Sequence, residues 1–439
     1  MLKRISGACV KIMQKYLPDP FLFAAILTGV VFIMGIGVAK NSPLQMVVHW
    51  GNGFWNLLAF SMQMVLVLVT GYTMASSPPI RKLLGGIAGR LPGPGAAIMV
   101  VTLVSVVTMW INWGFGTIIS VLFAKEVASR VKGVHFPLLV AAGFMGNMVW
   151  HGGISGSVPL TIATKGHFME NIMGIIPTSE TIFVPFNLVP VIVLLIILPF
   201  IARAMHPDKN NVIEVSPKLF VEESAATIER SKMTPSEKME NSSAISILLG
   251  VLGLAYVVWY FVTKGFKLNL DIVNITFLFV AILLHGTPRR FLDCLAEGVK
   301  TTSGIILQFP FYAGIMGMMV GSGLANIMSQ WFVSISTPFT FPLFTFISAA
   351  IVNFFVPSGG GQWAVQAPVM IPASIELGVP LAKTAMAIGW GDALTNQIQP
   401  FWLLPALGIA GLSAKDVMGY CVVAMLFGGV VMGLSLLLL

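Results

Sequence analysis

From Asn353 to Asn396 the chain reads NFFVPSGGGQWAVQAPVMIPASIELGVPLAKTAMAIGWGDALTN. An apolar run stops at Asn353. Pro357, Ser358, three consecutive glycines (Gly359, Gly360, Gly361), Gln362 and Trp363 follow. A second apolar run is then broken by Gly389, Gly391, Asp392, Thr395, Asn396 and Pro400. The chain around this stretch has 439 residues, 56% of them hydrophobic and 10% charged, against roughly 25% charged in a soluble domain. Such a stretch puts polar, non-helical backbone at membrane depth. Lipid cannot bond bare N–H and C=O groups, so irregular backbone persists there only where protein covers it or it lines a cavity. Interrupted apolar segments in corresponding positions of two halves point to a transporter binding site.

The composition predicts an all-α polytopic membrane protein. The basic residues that give the net charge of +8 lie at the ends of apolar runs, as membrane topology requires, and no nucleic-acid partner is expected. Cys9, Cys294 and Cys421 form neither a disulfide framework nor a metal spacing. No metal or cofactor is expected. Residues 1–19 hold Lys3, Arg4, Lys11 and Lys15 and read as a cytoplasmic segment without a cleavage site. Crossings are expected at 20–39, 54–74, 183–204, 244–263, 271–286 and 416–439, since a span needs about 20 apolar residues. Residues 76–95, with Arg81, Lys82 and Arg90, read as an interfacial amphipathic helix. Residues 205–243 hold seven of the 17 carboxylates and read as a polar, partly disordered connector. The expected organisation is a first repeat at 20–204, the connector, and a second repeat with one additional helix at 244–439.

GVHFPLLVAAGFMGNMVWH (133–151) aligns without a gap with GVPLAKTAMAIGWGDALTN (378–396). Val134 pairs with Val379 and Gly146 with Gly391, both at an offset of 245. In that register Asn147 pairs with Asp392 and His151 with Asn396. Upstream, Asn112 pairs with Asn353 at an offset of 241, so four extra residues are placed at Ser358–Gly361. Each half then carries a glycine-rich interruption followed by a discontinuous helix, the mark of a duplicated transporter fold. Arg81, Lys82 and Arg290 all vote for the cytoplasm, which makes the repeats inverted. Inversion needs an odd number of crossings before residue 271. The count is six if 112–130 forms a re-entrant hairpin, so one segment of that count is misassigned.

Candidate residues follow from what transport requires. Outside the connector ten carboxylates remain (17 less seven), and Asp392 alone follows a long apolar run to sit by Thr395 and Asn396 across one turn. An intramembrane ionisable residue is a functional hypothesis by default. It would hold a coupling proton or join a sodium shell; an N-cap on the second piece of the broken helix is the structural alternative. His151, in the equivalent region, ordinarily titrates near neutral pH and is the second coupling candidate. Ser358, Gly359, Gly360, Gly361 and Gln362 are the anion candidate, a nest of backbone N–H groups at a helix start. Asn112, Gly114, Gly116 and Thr117 are their first-half counterpart. Asn147, Ser155, Asn353, Thr395 and Asn396 are expected as polar lining. Phe354, Phe355, Trp363 and Trp150 are the candidates for an apolar pocket.

Four segments together, MLKRISGACVKIMQKYLPDPFLFAAILT, NWGFG, GNMVWHGGISGSVPLTIAT and NFFVPSGGGQWAVQAP, resemble the bacterial short-chain fatty acid transporter family, the acetoacetate/butyrate uptake permeases. The similarity spans the whole chain. The resemblance implies kinship with a larger ion-transporter group built from inverted repeats, each with a re-entrant hairpin and a discontinuous helix, with substrate between the hairpin tips. It also implies import of small monocarboxylates across the inner membrane. By position the tips fall on Asn112–Thr117 and Ser358–Gln362, and the broken helices on Asn147–Ser157 and Asp392–Asn396. Sodium- and dicarboxylate-using relatives often carry Ser-Asn-Thr at the tips; this chain has Pro-Ser-Gly-Gly-Gly-Gln. The expectation is a proton-coupled symporter in the lipid bilayer, with a homodimer as its assembly. The alternative is a sodium-coupled carrier of dicarboxylates or amino acids, although no arginine lies in either central stretch. A channel-like uniporter is a further rival. No enzyme constellation is assembled: HExxH, GxSxG and P-loop patterns are all missing.

Overall fold

The computed structural model describes residues 20–215, 233–399, 407 and 410–439. The N-terminal segment 1–19, the middle of the connector (216–232), and Pro400 and Trp402 lie outside the described residues. Within them every regular element is helical. The first half runs α1 (Pro20–Gly37), α2 (Pro43–Gly53), α3 (Leu58–Ala75), α4 (Pro78–Ala88), α5 (Pro94–Ile111), α6 (Trp113–Arg130), α7 (Phe136–Met145), α8 (Ser157–Ile162), α9 (Glu170–Met173) and α10 (Pro185–Ala204). After the connector helix α11 (Pro235–Glu240) come α12 (Ser243–Lys264), α13 (Leu270–His285), α14 (Pro288–Val299), α15 (Ser303–Gly321), α16 (Leu324–Ile335), α17 (Phe341–Val352), α18 (Gly359–Leu377), α19 (Leu381–Thr395) and α20 (Ala414–Leu438). Among the described residues six helical stretches are long and apolar enough to cross a membrane, and the chain is a multi-pass membrane protein.

The sequence marks these boundaries chemically. Pro43, Pro78, Pro94, Pro185, Pro235 and Pro288 open their helices, where the missing N–H is not needed. Gly286 and Gly378 end α13 and α18 with φ of 75° and 67°, a left-handed conformation that only glycine adopts without strain. Outward-facing α12 exposes Leu248, Leu252, Trp259 and Val262. Its Gly250 and Gly253 lie against Leu283 and Phe279 of α13, so small residues set the helix contact there.

Two side-by-side pairs give the helix directions. Gln63 donates to Asp271 at 2.8 Å near the starts of α3 and α13. His285 bonds the Thr73 carbonyl at 2.8 Å near their ends, so α3 and α13 run parallel. α1 and α15 also run together: Phe21 meets Phe311 edge-on, and Asn41 beyond α1 donates to the Ser322 carbonyl beyond α15 at 2.9 Å. The opening lengths recur: α1–α2–α3–α4 have 18, 11, 18 and 11 residues, and α13–α14–α15–α16 have 16, 12, 19 and 12. The two-helix hairpins α5–α6 and α17–α18 follow, although α5 has 18 residues where α17 has 12, and α9, α11 and α12 have no counterpart.

Several expectations are corrected by this arrangement. The first hairpin is 94–130, not 112–130: α5 is long enough to cross, yet the chain reverses at Asn112, whose extended backbone (φ −156°, ψ 123°) separates α5 from α6. The expected crossing at 54–74 begins at Leu58, after the unforeseen short helix α2, and α16 was likewise unforeseen. The start of the connector is packed on the first half. Ile213 accepts from the Phe136 N–H at 2.8 Å and donates to His135 at 3.0 Å, and Tyr420 holds the other His135 nitrogen at 3.1 Å.

α3 and α6 approach so closely that a Cβ on Gly71 would lie 2.5 Å from both Asn112 Oδ1 and the Phe115 nitrogen. Gly71→Ala should therefore displace the first hairpin tip and cost about 1–3 kcal/mol. Thermal melts of purified protein should show a clearly lower Tm than wild type; an unchanged Tm would mean that the approach is looser than described.

Candidate functional site

The first-half break lies between α7 and α8. Residues Gly146–Gly152 tighten into a 3-10 turn, and Gly153 is extended. A Cβ on Gly153 would fall 2.7 Å from the Trp110 Cα, so glycine lets the chain cross α5 there. The loosened backbone finds partners inside the protein. Ile154 N–H donates to the Trp110 carbonyl at 2.8 Å. The Gly152 carbonyl accepts from Trp110 Nε1 at 2.9 Å and from Asn187 Nδ2 at 3.0 Å.

The second-half break follows α19. Asn353, at the end of α17, points its amide at three acceptors on that helix end: the Asp392 carbonyl at 3.0 Å, Thr395 Oγ1 at 2.9 Å and Asn396 Oδ1 at 2.9 Å. Thr395 in turn donates to the Ala350 carbonyl, and Gln399 to that of Asn353, at 3.0 and 2.8 Å.

Both hairpin tips are helix starts. Asn112 caps α6 by accepting from the Phe115 N–H at 2.9 Å, and Ser155 Oγ accepts from the Trp113 N–H at 3.0 Å. Ser358 caps α18, accepting from Gly361 N–H at 3.4 Å. The three glycines are thus the first helical turn of α18 and not a nest preceding it. The extra residues of the second half fall at 353–357, in a longer turn, rather than at Ser358–Gly361, so Ser358 and not Asn353 is the capping counterpart of Asn112. The first four N–H groups of a helix lack carbonyls within it. Ser358 serves those of Gly361 and, through its carbonyl, Gln362 at 2.7 Å, which leaves Gly359 and Gly360 as the donors this terminus offers.

Among the polar contacts between the halves, one is a pair of ionisable side chains buried where the two breaks approach. His151 Nε2 lies 3.1 Å from Asp392 Oδ2, with side-chain exposures of 0% and 1%. Asn396 Nδ2 donates to the same oxygen at 2.9 Å. The alignment register equates His151 with Asn396 and Asn147 with Asp392 as positions; the contact in space joins His151 to Asp392. Asp392 lies within α19, one turn from its end, and is not an N-cap. The imidazole is sandwiched: Trp150 lies 3.8 Å away ring to ring, Gly359 offers no room for a Cβ beside Nε2, and Gly389 faces its ring from α19. Trp113 continues the aromatic run to Trp150 at 5.5 Å.

The other candidates divide between site and scaffold. Gln362 donates to the Ala349 carbonyl and to Gln366 Oε1, both at 2.8 Å, and ties the hairpin arms together. Gly114 and Gly116 pack against the backbones of Leu68 and Met109, and Thr117 bonds its own helix at the Trp113 carbonyl. Asn147 is buried in the 3-10 turn. Phe355 is 43% exposed and meets Phe23, away from the α18 turn, and Trp363 is fully buried. Trp110, Asn187, Gln366 and Gln399 were missed. Asn187 stood alone as a polar residue in the apolar PFNLVPV, and Gln366 lies one turn beyond Gln362; Trp110 and Gln399 gave no signal.

A family model described as short chain fatty acid transporter matches residues 1–439. A protein assigned as a short-chain fatty acid transporter in Escherichia coli (strain K12) is 44% identical over 439 residues, all of both chains. One with the same assignment in Haemophilus influenzae is 43% identical over 435 residues, 97% of each chain. The crystal structure of the Alcanivorax borkumensis YdaH transporter, reported as having an unusual topology, superposes with a TM-score of 0.60 at 14% identity. It covers 95% of this chain and 97% of that one, a likeness of fold.

Removing one partner of a buried, hydrogen-bonded pair is strongly destabilising, by about 3–5 kcal/mol. Asp392→Ala should therefore lower Tm far more than the double variant His151→Gln/Asp392→Asn, which keeps an N–H···O contact. Equal losses in melts of the two proteins would show that a neutral N–H···O contact of similar volume does not replace the pair.

Proposed function

The chain belongs to the short chain fatty acid transporter family, and from that membership we propose that it imports short-chain monocarboxylates such as butyrate or acetoacetate across the inner membrane, driven by protons. The observation that carries this reading is the buried His151–Asp392 contact beside the start of α18. A carrier of a single carboxylate needs donors for one anion and a group that takes up a coupling ion. The N–H groups of Gly359 and Gly360, with the positive end of the α18 dipole, suit one carboxylate. Two titratable side chains in hydrogen-bond contact, one from each half, suit a proton that must be taken up and released. Trp150 Nε1 and His151 Nδ1 are buried there without a hydrogen-bond partner, capacity that a bound carboxylate or proton would use.

The topology of this reading is an inverted pair of repeats. With α5–α6 counted as a hairpin, the crossings before α13 are α1, α3, α7–α8, α10 and α12, an odd number, which removes the parity conflict of the sequence count. Tracing the chain in this way sets Arg81, Arg90, Arg130, Arg203, Arg289 and Arg290 on one face. Of the described basic residues it leaves Lys40, Lys165, Lys264, Lys267 and Lys383 on the other. The excess marks the arginine face as cytoplasmic. The first hairpin then enters from the cytoplasm and the second from outside. The sodium alternative draws on the oxygens of Asn112, Asn353 and Thr395, but Asn112 Oδ1 already caps α6 and Thr395 Oγ1 lies in the Asn353 amide's bonds.

Purified protein in liposomes should accumulate labelled butyrate under an inward proton gradient and not under a sodium gradient alone. Asp392→Asn should abolish accumulation while leaving butyrate–butyrate exchange. Accumulation by that variant would remove Asp392 from coupling. Butyramide, the same shape without the charge, should not compete for uptake; equal competition would dismiss the carboxylate site at α18.

A further inference from the structure

The start of α18 has two unlike walls. On one side stand His151 and Trp150. On the other, α3 brings in Phe60, whose ring atoms would lie 2.7 and 2.9 Å from a Cβ on Gly360. Phe60 is 8% exposed and does not stand alone. Phe309 of α15 lies 5.7 Å behind it, ring to ring, and itself meets Tyr312 at 6.0 Å. Phe168, from the loop before α9, meets Phe60 edge-on at 5.9 Å. A ring held this way has two torsions and no room to swing.

We propose that Phe60, braced by Phe309 and Phe168, is the residue that ends the substrate's alkyl tail and so sets the chain length the carrier accepts. The inference rests on the reading that the carboxylate is held by the N–H groups of Gly359 and Gly360. A carboxylate on those donors sends its tail away from the first turn of α18. The imidazole and indole close one side. The remaining wall over Gly360 is apolar and aromatic. Each methylene that fits such a wall strengthens binding by about fourfold. A methylene beyond the space is rejected by about tenfold or more, because the ring cannot yield.

The test is competition in proteoliposomes. Labelled butyrate uptake is measured against unlabelled straight-chain carboxylates of increasing length, from acetate to octanoate. Wild type should show a sharp fall in competition beyond one length. Phe60→Ala should move that fall to longer chains, and Phe60→Trp to shorter ones, with acetate competing equally in all three. If Phe60→Ala does not fold, Phe60→Leu and Phe60→Trp read the same shift in opposite directions. An unmoved fall in variants that still transport would overturn the role of Phe60 and leave the carboxylate reading intact. Butyramide competing as well as butyrate, with the fall still moved by Phe60, would overturn the carboxylate reading and keep Phe60 on the tail's path.

Discussion

Backbone that leaves the helix inside a bilayer must find its hydrogen bonds within the protein, and much of this architecture answers that demand. The Gly152 carbonyl, freed by the first break, receives two donors, Trp110 Nε1 and Asn187 Nδ2. The end of α19 is served by Asn353 from a neighbouring hairpin. Each break keeps some bonds of its own, Gly153 N–H to the Trp150 carbonyl and Asn396 Nδ2 to Asp392. Its remaining groups are served by an element from elsewhere in the chain. The same demand explains the glycines, since close crossing by Gly71, Gly153 and Gly359 brings the partner groups within reach.

The two hairpins meet the demand differently. The first turns on one extended residue, Asn112, and its tip is sealed by Ser155 and by the backbone beside Gly71. The second turns over residues 353–358 between a 12-residue arm and a 19-residue arm. Its glycine-bearing arm starts against His151, Phe60 and Tyr312 rather than against backbone. The surroundings of the first tip are thus set by backbone, and those of the second by side-chain identity.

Much of this was legible in the residues themselves. The glycines and polar residues at 112–117, 146–156, 353–362 and 389–396 fall at the breaks and tips, because a bilayer leaves so few places for them. What the alignment could not supply was depth. A register between two related stretches says which residues occupy like positions, and the contact joining His151 to Asp392 crosses the register by four residues, one helical turn. The aromatic wall of Phe60, Phe309 and Phe168 was hidden for another reason. Phenylalanine is so common in an apolar chain, at 30 residues, that only packing distinguishes a wall from a lipid contact. The role of the three glycines was misread because glycine favours a nest and a close helix contact equally well, and only the neighbour decides.

Asn353 has one further consequence. Its amide nitrogen carries two hydrogens and has three oxygens within 3.0 Å, all on the end of α19. The loss of any one of these acceptors leaves the other two. With Thr395 also bonded to the Ala350 carbonyl and Gln399 to that of Asn353, the joint between the second hairpin and the end of α19 is redundant, and no single hydrogen bond holds it.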